Sequence, residues 1–172
     1  MTLSISLKGC AGRNTTSQGW DFQTKLLAPY GVHMMGILVE EALKAAWVLQ
    51  AQTEVDGSKI GVTGMSLGGN AAWYAMSCAP WLGAAVPVCG GLGSIVREVQ
   101  EGNHERHGTH WYIPNILRHF DHADIVASCI SPRPLMIIAP SEDQDMPQSG
   151  VNDLVTSVQA AYDEAGQKEN FK

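Results

Sequence analysis

Lys59 to Ala79 reads K-I-G-V-T-G-M-S-L-G-G-N-A-A-W-Y-A-M-S-C-A, and the fold turns on this stretch. The apolar run Ile60–Val62 predicts a short strand. The segment after Leu67 turns helical, with alanines and large apolar residues at helical spacing. Between them lies G-x-S-x-G, formed by Gly64, Ser66 and Gly68. A serine on a tight strand-to-helix turn is the context that gives this motif chemical meaning: a nucleophile elbow. The serine's backbone is strained there, so Gly64 and Gly68, two positions away on either side, are expected to need the absence of a side chain. The following helix points its free N–H groups, Leu67 first, and its positive dipole end at Ser66. That is where an oxyanion would develop. A P-loop is excluded because no Lys-Ser/Thr pair follows the glycines. A dinucleotide fingerprint is not formed either.

Strands alternate with helices on both sides of this stretch. Leu3, Ile5 and Leu7 alternate with Ser4 and Ser6, which predicts an opening strand. It runs into a glycine-rich turn from Lys8 to Gly12, and residues 13–18 are polar and read as loop. From about Met34 to Ala51 a helix is expected, with Met34, Leu38, Ala42, Ala45 and Leu49 on one stripe. Gly83–Cys89 reads as a buried strand in which Pro87 is awkward, since proline cannot donate to a ladder. A helical stretch, a His-rich loop and a helical segment over 116–129 follow. Pro134–Ala139 has the composition of a fully buried strand. A last helix is expected over about 151–165, with Gly166 as its cap. This order implies an α/β fold: a parallel sheet with helices on both faces. Chemistry in such sheets collects at the carboxyl ends of the strands.

The totals agree with one domain of 172 residues, 45% apolar and 16% charged. A net charge of −6 without a basic patch argues against a nucleic-acid partner. There is no run of eighteen apolar residues, and no basic start followed by an apolar core. A cytoplasmic location without a membrane partner is therefore the expectation. The four cysteines (Cys10, Cys78, Cys89 and Cys129) are widely spaced and are expected to be free thiols, with Cys78 and Cys89 buried as packing residues. No metal site or other cofactor is expected from them.

The strand at Pro134–Ala139 is followed by P-S-E-D-Q-D-M-P, residues 140–147. A carboxylate just past a later strand end is placed to orient a catalytic imidazole, and the order Ser then Asp matches this class of hydrolase. Asp143 is the first choice and Asp145 the second.

Three stretches together resemble the α/β-hydrolase superfamily, in its dienelactone hydrolase and acetyl xylan esterase-like group. They are V-D-G-S-K-I-G-V-T-G-M-S-L-G-G-N-A-A at 55–72, A-A-V-P-V at 84–88, and the segment from Trp111 to Pro147 with its S-P-R-P-L at 131–135. The resemblance implies a serine esterase acting on small carboxylic esters, with Ser66 as nucleophile, Leu67 N–H as an oxyanion donor and Asp143 as the acid. It also implies an oxyanion loop ahead of the opening strand and a histidine beyond a further strand. No such loop precedes Leu3, and no histidine follows His122. The expectation is a hydrolase shortened at both ends, with fewer strands than usual and an edge that self-association would cover. A non-catalytic binding module is the alternative.

A base would then come from a partner chain or from another histidine. His104, His107 and His110 fall in a loop after a strand end, where they read as polar loop residues, a metal cluster or a replacement base. His33 reads as structural, and His119 and His122 as surface or capping residues. Trp111, Tyr112 and Ile113 read as walls of a pocket or as core.

Overall fold

The computed structural model describes residues 1–10, 13, 19–102 and 104–172. The predicted loop over 14–18 and the end of the glycine turn, residues 11 and 12, lie outside the described residues.

Two helices precede the first strand. Helix α1 (Gly19–Leu27) was not expected from the sequence. Helix α2 (Met34–Gln50) begins where His33 Nδ1 accepts from Met35 N–H, so this histidine is a helix cap. Met34, Met35 and Leu38 are buried beneath it.

Strand β1 (Gly61–Met65) leads through Ser66 into helix α3 (Leu67–Cys78), and β2 (Ala84–Val88) lies parallel to β1. Next come α4 (Ile95–Glu101), the His-rich loop, a short helix α5 (His122–Ile125) that widens into a π turn, and α6 (Gln148–Glu164). Gly166, at φ 68°, ends α6 with Gln167 N–H returning to Tyr162 C=O at 2.9 Å.

The predicted strand over 134–139 pairs with β2 only through parallel bridges, Ala85 with Leu135 and Val88 with Ile138. Pro87 supplies the reason. Ala85 and Cys89 donate to this segment, through Pro134 C=O and Ile138 C=O. By the same alternation Pro87 would donate between them, and it has no N–H. Leu135 in turn bridges Phe171, so a parallel order continues from β1 through β2 and Leu135–Ile138 to the last residues.

The opening strand does not form. Residues 1–7 join no ladder, because a strand needs a neighbour whose N–H and C=O groups face it. They face β1 instead across a cavity of about 590 Å³, lined by Leu3, Ile5 and Leu7 on one side and Ile60–Met65 on the other.

The core sits between the sheet and α2, α3 and α6. Trp73, Met76, Leu82, Ile130, Leu154 and Tyr162 are fully buried in it. Cys78 is exposed and Cys89 half-buried, against the expectation that both pack inside; the four cysteines are free. His122, expected as a surface or capping residue, is buried beside Trp73, with its Nε2 3.3 Å from Tyr74 Oη. Among the described residues no helix is long and apolar enough to cross a membrane.

Candidate active site

Ser66 stands between β1 and α3 with φ 53° and ψ −121°. This backbone region is normally reserved for glycine, and a serine held there stores strain. Two interactions enforce it. Ser66 N–H donates to Val88 C=O at 2.8 Å, and Asn70 N–H donates to Ser66 C=O at 2.9 Å, starting the helix.

The glycines divide differently from the motif. A Cβ on Gly64 would lie 2.4 Å from the Gly68 carbonyl carbon, so Gly64 has no room for a side chain. A Cβ on Gly68 would meet nothing within 4 Å. The second crowded position is Gly69, whose Cβ would fall 2.8–2.9 Å from Gly64 O, Gly90 Cα and Val88 O. Helix α3 crosses the strand ends at Gly69, and Gly68 points away from them.

Ser66 and Leu67 open into a cavity of about 400 Å³. Leu67 is the first residue of α3, so its N–H is among those that the helix leaves without an internal partner. The cavity's other wall comes from the His-rich loop, through Arg106, His107, His110 and Trp111, with Asp21 and Asp145 completing it.

Several contacts hold this loop in place. Asp21 Oδ1 accepts from Thr109 N–H at 2.7 Å and from Thr109 Oγ1 at 2.9 Å. His107 stacks on Trp111, with ring centroids 4.3 Å apart and planes 15° apart. Its Nδ1 lies 2.9 Å from Glu98 Oε1. Burial holds His107 below the usual imidazole value, opposed by the carboxylates of Asp145 and Asp143. Burial also takes His110 down to about 4.

The acid loop separates the two aspartates. Asp145 lines the cavity, but its carboxylate is taken by Arg106 Nε at 2.5 Å. Asp143, the first choice from the sequence, is not among the cavity-lining residues, and its Oδ1 accepts from Asp145 N–H at 2.9 Å.

Sequence reasoning missed Glu98. It is completely buried on α4, three residues after the buried Ile95, and burial lifts its carboxyl to about 7. The signal was present: a carboxylate at an apolar position of a helical stripe.

No family model matches the chain. It is 30% identical over 165 residues to "Putative hydrolase YtaP" of Bacillus subtilis (strain 168), covering 96% of this chain and 53% of that protein. The chain thus spans about half the length of the curated relative it matches. Among solved structures it is similar to a "putative acetyl xylan esterase" from Bacteroides fragilis, with a TM-score of 0.78 and 17% identity over 98% of this chain and 44% of that one. It is also similar to a glucuronoyl esterase catalytic domain from Hypocrea jecorina, with a TM-score of 0.67 and 20% identity over 88% and 48% of the two chains. A parallel sheet flanked by helices, a strained serine between strand and helix, and these likenesses together show that the chain has the α/β-hydrolase fold.

Proposed function

We propose that this chain carries the nucleophile of a serine hydrolase acting on small carboxylic esters. One observation carries the reading: Ser66 is held at φ 53° at the N-terminus of α3, facing a cavity that two buried imidazoles also line. Strain of this kind at a functional serine points to a selected geometry.

In this reading Ser66 Oγ attacks the acyl carbon and its proton passes to a base. The carbonyl oxygen becomes an oxyanion beside Leu67 N–H, and the alcohol leaves. Water then attacks the acyl-enzyme and releases the acid. The relatives support the hydrolase class, and the size of the cavity suits a small ester. Asp143 and Asp145 are the carboxylates proposed from the sequence. Asp143, with Asp145 as the second choice, is the carboxylate proposed to orient the base.

Labelling with a fluorophosphonate, with Ser66→Ala as control, tests the reading. Adduct formation on Ser66 is expected. A wild-type chain that stays unlabelled while folded would assign it to the alternative, a binding module that retains the elbow as architecture.

A further inference from the structure

Trp111 is the largest apolar side chain lining the cavity in front of Ser66, and it is half-buried. Its indole reaches the strand ends because glycines clear the way. A Cβ on Gly91 would fall 1.8 Å from Trp111 Cη2 and 2.4 Å from Cζ2. Gly91 also sits at φ 61°, a backbone that favours glycine. Gly90, one residue earlier, packs on α3: a Cβ there would fall 2.7 Å from the Gly69 carbonyl carbon. Two residues before Gly90, Val88 C=O accepts from Ser66 N–H at 2.8 Å. The benzo edge of the indole therefore rests on the same strand end that holds the serine.

The ring is held on its face and at its base as well. His107 stacks on it, with centroids 4.3 Å apart. Trp111 N–H donates to Gly108 C=O at 3.0 Å, and Asp21 Oδ1 fixes Thr109 within that turn. A tryptophan placed for the core satisfies its indole N–H, as Trp73 does on Gly90 C=O at 3.1 Å. Trp111 Nε1 is buried and makes no hydrogen bond. What the position of Trp111 supplies is the bulk and rigidity of the ring.

We propose that Trp111 sets the size of the ester group that the cavity accepts beside Ser66. This rests on the Ser66 reading. With the indole in place the cavity holds about 400 Å³. A group longer than the gap between nucleophile and benzo edge must displace the ring. The ring cannot yield toward Gly91, which it already touches, or toward His107, which covers its face. Replacing the indole by a methyl group opens that end of the cavity.

The test is kcat/KM, on the full chain, for p-nitrophenyl acetate, butyrate and hexanoate, and for naphthyl acetate as the larger alcohol. Wild type, Trp111→Ala and Trp111→Phe are compared, with circular dichroism confirming the fold. Trp47→Ala, which removes an exposed indole on α2, is the control. The hexanoate-to-acetate ratio is expected to rise about 10–100-fold in Trp111→Ala, by less in Trp111→Phe, and not in Trp47→Ala. A rise confined to the larger alcohol would place the leaving group against the ring and equally support the size limit. Folded Trp111 variants that lose activity toward every ester alike, with ratios unchanged, would show that the indole only supports the fold. That result would overturn the size limit and leave the Ser66 reading standing. A folded wild type that neither turns over an ester nor labels at Ser66 with a fluorophosphonate would remove the Ser66 reading, and the size limit with it. Should Trp111→Ala not fold, Trp111→Phe decides: unchanged ratios count against the proposal.

Discussion

The backbone of Gly68 occupies the space that a side chain on Gly64 would need. A Cβ at position 64 would sit 2.4 Å from the Gly68 carbonyl carbon and 2.5 Å from its oxygen, while a Cβ at 68 would meet nothing. The contact is one-sided, so the two glycines of the motif should respond differently to substitution. Gly64→Ala is expected to destabilise by about 1–3 kcal/mol through forced backbone displacement. Gly68→Ala is expected to be neutral or to stabilise by up to about 1 kcal/mol, since alanine is the better helix former. Urea unfolding of the two variants checks both, and equal losses would contradict the asymmetry.

Strain at Ser66 gives a second expectation. Glycine adopts φ 53°, ψ −121° far more readily than any residue with a Cβ. Ser66→Gly should therefore be more stable than Ser66→Ala, by about 1–3 kcal/mol. Differential scanning calorimetry of the pair reads this directly, and the order Ala above Gly would show that the turn is not strained.

Arg133 holds several loops together. Its guanidinium donates to Ala79 and Leu82 C=O through Nη1, and to Met76 C=O at 2.8 Å and Cys129 C=O through Nη2. The Met76 carbonyl belongs to the last turn of α3, where a helix lacks internal donors. Arg133→Ala should cost about 2–4 kcal/mol in thermal unfolding. Arg133→Lys should lose most of that as well, because an ammonium cannot span a fork of separated carbonyls. A lysine variant as stable as wild type would show that charge alone suffices.

Glu98 links stability and pH. Burial raises its carboxyl from 4.5 to about 7, with His104 and the Tyr112 hydroxyl pulling downward and Asp145 and Asp143 pushing up. Between those values the folded chain holds a proton that the unfolded chain has released. Stability from this group is thus present near pH 4.5 and is lost as pH rises toward 7. Glu98→Gln should remove that loss, so its advantage over wild type in the free energy of urea unfolding should grow from pH 5 to pH 8, by on the order of 1–3 kcal/mol. An advantage that does not change with pH would show that Glu98 titrates normally.

Local pattern was enough to read the strand–serine–helix unit, the helix at Met34–Gln50 and the cap at Gly166, because each depends on neighbours within a few residues. The acid loop was legible as a loop after a buried segment, and Pro87 already marked the weak rung of the sheet. The opening strand was misread because alternation at Leu3, Ile5 and Leu7 describes a face to be buried and not a partner to pair with. Gly68 was misread because a motif records spacing, whereas crowding depends on where the helix crosses the strand ends, which is at Gly69.

From the sequence alone came the parallel α/β arrangement and a serine at a strand end, since hydrophobic period and glycine placement are encoded locally. Which histidines line the cavity in front of that serine was decided only by the tertiary structure. His104, His107 and His110 are alike on paper. His107 and His110 line it and His104 does not. His107 is held by its stack on Trp111 within the loop and by the Glu98 carboxylate from α4, and that second contact exists only once α4 and the loop have packed together.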